Sequence, residues 1–159
     1  MSVIPKRIYR LVEKRLRERE GMITRAEMRL YEAQAAAVSS AAPPTDSGAA
    51  FTGTPGNRTM NGALSILEAE EKLRDARQWE EVFSLVRKAF PTPETVEGKM
   101  AAYLYDQGKT QAQACAFFGC DRQTVRRARD TYVCHCALIA AGMGLIKITE
   151  EENDQPGSH

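Results

Sequence analysis

Aromatic residues are scarce in this chain, at 7% of 159 positions. β-branched residues do not gather into the alternating runs that strands use. These absences argue against a sheet-based fold and for an all-α one. Charge of one sign is also missing as a bulk property: the net charge is +1, so the total selects no class of partner. Long hydrophobic runs are absent as well. The best, Thr131 to Ile146, is shorter than the ~20 residues a membrane helix needs and contains His135. The opening "MSVIPKRIYRLVEK" has no apolar core of the secretory kind, so a cytoplasmic protein with reduced thiols is expected.

Chemistry-bearing residues are few. There are four cysteines (Cys115, Cys120, Cys134, Cys136) and two histidines (His135, His159). Structural zinc sites pair their ligands at C-x2-4-C spacing. The "CHC" of residues 134–136 instead sets its two thiols about 200° apart on a helix, since each residue turns ~100°. One metal cannot take both without unwinding the chain. Neighbouring helical residues diverge, so a Cys–His nucleophile is not expected either. No Gly-rich phosphate loop and no carboxylate pair at catalytic spacing appears. The expectation is a protein without metal, cofactor or enzymatic activity.

What the chain does have is helical periodicity in several blocks. Residues 1–38 read as a basic helical segment: from Lys6 to Arg29 there are nine Lys or Arg against four Glu. Pro5 suits a first turn, and Ile8, Leu11 and Val12 begin an apolar stripe. Gly21 can end one helix, with Thr24 and Glu27 at capping-box spacing for a second; one bent helix fits equally. Residues 39–59, "SSAAPPTDSGAAFTGTPGNRT", have almost nothing to bury and read as a flexible linker.

Over 60–90 a long amphipathic helix is expected. Ile66, Ala69, Leu73, Ala76, Trp79, Phe83, Val86 and Phe90 recur every three or four residues, and Pro91 stops the pattern. Residues 92–146 then read as a helical domain opened by Thr92 as cap and Pro93 in the first turn, with Gly108 ending that helix. Residues 147–159 form an acidic tail expected to be disordered.

Within that domain, "GKTQAQACAFFGCDRQTVRRARD" holds the most specific signal. Thr110 and Gln113 have capping-box spacing, Gly119 allows only two helical turns, and Asp121 caps a second helix from Arg122. Two short helices around a turn glycine describe a helix-turn-helix. The inward sites then fall on Ala114, Phe118, Cys120, Val125 and Ala128, with small Cys115 where the helices cross. Four arginines lie within eight residues, 122–129. With Val125 inward, Gln123, Arg126, Arg127 and Asp130 project to the far side, and Arg122 and Arg129 lie on the flanks.

Arginine can pair bidentately with guanine and glutamine with adenine, so Gln123, Arg126 and Arg127 are the candidate base readers. Thr124 accompanies them at the start of the helix. Arg122, Arg129 and Lys109 are candidate phosphate contacts, and the free amides at Thr110 suit a phosphate. Past Thr131, "VCHCALIAAGMGLI" stays apolar; it packs either on the long helix or on a second copy.

The order of parts over Pro5 to Ile146 resembles the ArpU/RinA-type phage transcriptional regulators. It runs from a basic helix through a Pro/Gly/Ser-rich loop and a long amphipathic helix to a proline break and a C-terminal helix-turn-helix. "AAYLYDQGKTQAQACAFFGCDRQTVRRARD" is also similar to the promoter-binding helix-turn-helix of sigma factor region four. The resemblance implies an activator of phage late genes that binds double-stranded DNA inside a bacterial host cell, beside host RNA polymerase. A homodimer or higher homo-oligomer is expected, because a single module supplies few contacts. Two other readings share the same motif: a small-terminase-like packaging protein that holds DNA, and an adaptor whose arginine helix binds RNA polymerase. Cys120 stands where such helices usually carry Ile or Val, a change that preserves size and polarity.

Overall fold

The computed structural model describes residues 4–40 and 55–149. They form six α-helices and one π-helical turn, with no strand among the described residues: α1 (Lys6–Arg17), α2 (Met22–Ser40), α3 (Pro55–Ala89), α4 (Val96–Ala101), the π turn (Ala102–Asp106), α5 (Gln111–Phe118) and α6 (Arg122–Gly142). The fold is all-α. Of the linker expected over 39–59, residues 41–54 lie outside the described residues, and α3 begins at Pro55, ahead of the expected Met60. Of the acidic tail, 150–159 lie outside them.

The chain divides into two compact units. One runs from Gly21 to Arg77 and holds α2 with the first part of α3. Its helices are antiparallel. A Cβ on Gly62 would sit 3.5 Å from Ala37 Cβ, while Arg77 pairs with Glu27 at 3.6 Å near the other end. Met22, Ala26, Ala69, Leu73 and Ala76 are its buried apolar residues. Two helices are present where one bent helix fitted the sequence equally well. Because α2 starts at Met22, Thr24 lies inside the helix and does not cap it.

The other unit joins α1 with the described residues from Gln78 onward. Ile8, Val12 and Leu16 form the buried stripe of α1, and Trp79, Val82, Phe83 and Val86 that of the last turns of α3. Fully burying one such side chain contributes about 1.5–3 kcal/mol. Arg19 grips Glu80 with two hydrogen bonds, 2.6 and 3.0 Å.

The break after α3 differs from the expected one. Thr92 is not the cap: α4 begins at Val96, and Thr95 caps it by accepting from the Gly98 amide at 3.0 Å. Thr92 instead donates its hydroxyl to the Gly98 carbonyl, 3.1 Å away. The backbone is close-packed here. A Cβ on Gly98 would lie 2.5 Å from the Phe90 carbonyl, so the chain can fold back on itself here only through glycine. The helix then widens into the π turn, and Gly108, at φ 63°, reverses the backbone.

The apolar extension of α6 packs inside this unit. Val133, Cys136, Ala137 and Ala140 are buried, and Phe90 meets Tyr132 and His135 with ring centroids 6.2 and 4.6 Å apart. Leu138 alone among the large apolar residues of that stretch is exposed.

Candidate nucleic-acid interface

The helix-turn-helix is assembled by local bonds. Thr110 Oγ1 accepts from the Gln113 amide at 3.2 Å, and Gln113 Oε1 accepts from the Thr110 amide at 2.9 Å, a complete capping box. The turn glycine, Gly119, is left-handed at φ 63° and ψ 35°, where an L side chain costs roughly 1–2 kcal/mol. The Cys120 amide donates to the Cys115 carbonyl at 3.2 Å and closes the turn. Asp121 then caps α6, accepting from the Thr124 amide at 2.8 Å and from its hydroxyl at 2.6 Å.

Beneath the two helices lies one apolar cluster of Met100, Leu104, Ala114, Val125 and Ala128. Tyr103, Tyr105, Cys115, Phe118 and Cys120 pack around it. Every position expected to face inward is in this cluster. Val125 and Ala128 therefore fix the rotation of α6, and the residues between them must point out. Gln123, Arg126 and Arg127 are exposed on that outer face, with Arg122 exposed at its start. None of the three arginines forms an ion pair with a described residue. Arg127 acts at longer range, helping to hold the Asp121 carboxyl below its usual 3.8, although the Thr124 hydrogen bonds are the larger cause.

Thr124 and Thr110 are exposed, but their hydroxyls are engaged in the two caps. Lys109 is half-buried. The Thr110 amide is also taken, so an anion at the start of α5 would have to use the amides that follow it.

Arg129, the other arginine expected to contact phosphate, is largely covered. Its side chain is 15% exposed, with Nη1 3.8 Å from Glu13 and Nη2 3.7 Å from Asp130. The guanidinium lies 5.5 Å from the centre of the Tyr9 ring. Its Nε is buried without a hydrogen-bond partner among the described residues. Burial opposes its charge, but the surrounding acidic groups outweigh this and hold the guanidinium above its ordinary value. The flank of α6 that the sequence leaves open to solvent is covered by α1.

Sequence reasoning missed Tyr9, Glu13 and Tyr105 around it, and placed on the open far side the Asp130 that Tyr9 half covers. The Tyr9 hydroxyl donates to Asp130 Oδ1 at 2.7 Å, and the Tyr105 hydroxyl to Glu13 Oε1 at 3.4 Å. Tyr9 and Glu13 are one helical turn apart beside the apolar stripe of α1, a visible signal that names no partner.

The thiols take no part in this surface. Cys115 and Cys120 belong to the packed cluster, and burial pushes the Cys136 thiol up to about 12. Among the described residues no three His, Cys, Asp or Glu side chains come together as a metal site would need. Nor is any described helix long and apolar enough to cross a membrane.

Residues 99–135 match the family described as the homeodomain-like domain. The match spans the second half of α4, the π turn, α5 and the first two-thirds of α6, the segment whose geometry is given above. No curated protein and no solved structure matches the chain.

Proposed function

With a homeodomain-like helix-turn-helix DNA-binding domain at residues 99–135 as the premise, we propose that this chain is a sequence-specific transcription regulator. It reads one major groove per protomer with the first turns of α6. The observation that carries the reading is the outer face of α6. Gln123, Arg126 and Arg127 stand exposed there on a helix whose rotation is fixed by buried Val125 and Ala128. Gln123 and the two arginines are the base readers. Arg122, Lys109 and the amides at the start of α5 bind phosphates, while Thr124 holds the first turn of α6 in place.

The order of parts and its likeness to ArpU/RinA-type regulators support activation of phage late genes. The likeness to sigma region four supports action beside host RNA polymerase, in the cytoplasm of a bacterial host. Pairing of protomers belongs to the same proposal. On α2, Met28, Tyr31 and Val38 are exposed, and with Ala35 they follow a three-and-four spacing on the side away from buried Met22 and Ala26. A second copy of α2 carries the matching stripe. A two-fold pair would then present two recognition helices to two half-sites.

Selection of bound sequences from random duplexes tests the proposal. An enriched half-site, repeated at the spacing of a dimer, is the expected result. A protein without salt-sensitive DNA binding would overturn it in favour of an adaptor. A closed ring in light scattering, with no enriched sequence, would overturn it in favour of a packaging protein.

A further inference from the structure

The basic helix α1 is part of the same compact unit as the helix-turn-helix, and its charges are distributed unevenly. Glu13, the carboxylate in the middle of α1, is turned inward. Its side chain is 20% exposed and meets Arg17 at 3.3 Å, Arg129 at 3.8 Å and the Tyr105 hydroxyl at 3.4 Å. Lys14 is paired with Glu18 at 3.9 Å on the exposed side. Lys6 and Arg10 are exposed and form no ion pair with any described residue.

Their direction follows from the helix. With Ile8, Val12 and Leu16 facing the core, Tyr9 and Glu13 lie on the flank against α6. At ~100° per residue, Lys6 and Arg10 lie further around the same flank, towards solvent. On α6, the partner of Tyr9 is half-buried Asp130, which by helical spacing lies on the side of Gln123, Arg126 and Arg127. The carboxylates on this border are already occupied: Asp130 by Tyr9 and Arg129, Glu13 by its three partners. Lys6 and Arg10 therefore put two cations, without an ion pair among the described residues, on the solvent side of the helix that is bonded to α6 at Asp130. A duplex lying on the outer face of α6 brings its phosphate backbone against these cations.

We infer that Lys6 and Arg10 form a second DNA contact, in which α1, fastened to α6 through Tyr9–Asp130 and Glu13–Arg129, binds the phosphate backbone flanking the groove that α6 reads. The inference rests on the DNA-binding reading above and adds a site to it. The contact is sequence-independent, because it meets only the backbone.

The test is the salt dependence of binding by the full chain, measured for the selected site and for a random duplex. Each neutralised phosphate contributes a slope of about −0.9 in log K against log salt. The double variant Lys6→Gln/Arg10→Gln is expected to flatten the slope by about 1.8, and Lys6→Gln alone by about half of that. Affinity should fall by the same factor on both duplexes. Both residues are exposed, and an unchanged thermal midpoint verifies that the fold is intact. An unchanged slope, with Arg126→Ala still weakening binding, would overturn this contact and leave the helix-turn-helix reading standing. A loss confined to the selected site would also overturn it. Wild-type protein that binds neither duplex would overturn both.

Discussion

Replacing Arg129 by methionine separates the phosphate contact expected from the sequence from the internal pairing that the structure gives the same residue. The change keeps most of the apolar stem and removes the charge. Arg129 is paired with Glu13 at 3.8 Å and with Asp130 at 3.7 Å, and lies over the Tyr9 ring at 5.5 Å. Breaking a fully buried pair costs about 3–5 kcal/mol, but these groups keep 15 to 34% of their side chains exposed and their ion-pair distances are long. Glu13 also retains Arg17 at 3.3 Å. Losing the cation–π contact costs about 0.5–1 kcal/mol more, while removing the unpartnered Nε returns some of its desolvation cost. The net expectation is a loss of about 1–2 kcal/mol. For a chain of this size that is a fall of roughly 2–8 °C in thermal midpoint. Differential scanning calorimetry reads the stability, and filter binding across a salt series reads the DNA contact. Stability should drop while the salt slope hardly changes. A variant as stable as the parent, with the slope flattened by about 0.9, would show that Arg129 clamps a phosphate and that its pairing with α1 is incidental.

Arg127→Ala should cost about 1–3 kcal/mol on the selected site and relax discrimination at one base pair; an equal loss on random DNA would remove Arg127 from the base readers. Gly98→Ala forces a Cβ to within 2.5 Å of the Phe90 carbonyl and should destabilise by about 1–3 kcal/mol in urea unfolding. Unchanged stability would show that the chain does not fold back so closely there. The Thr124 hydrogen bonds lower the Asp121 carboxyl below its usual 3.8. Its folded value therefore lies below its unfolded one, so its contribution is present above that range and is lost as pH falls through the folded value. A carboxyl resonance of Asp121 titrating at 3.8 or above would refute the cap.

Much of the helix-turn-helix is legible in the sequence because its determinants are local. Thr110 reaches Gln113 and Asp121 reaches Thr124 across three residues, and Gly119 supplies a left-handed φ that depends on nothing distant. The rotation of α6 follows from the spacing of Val125 and Ala128. These short-range rules also fail locally. Both Thr92 and Thr95 are acceptable caps by residue type, and it is Thr95 that accepts from the Gly98 amide while Thr92 donates to the Gly98 carbonyl.

By itself the sequence determined an all-α chain, a turn at Gly119 and an outward row of Gln123, Arg126 and Arg127. Propensity, capping and periodicity act within a few residues, and no distant contact is needed to state them. Tertiary structure alone decided the fate of Arg129 and the place of α1. The bond between Tyr9 and Asp130 joins positions 121 residues apart, and helical periodicity tells which face of α1 is apolar without telling which polar flank meets α6. An arginine is a phosphate clamp or an internal countercharge according to whether a carboxylate is brought to it, and folding brings Glu13 to Arg129.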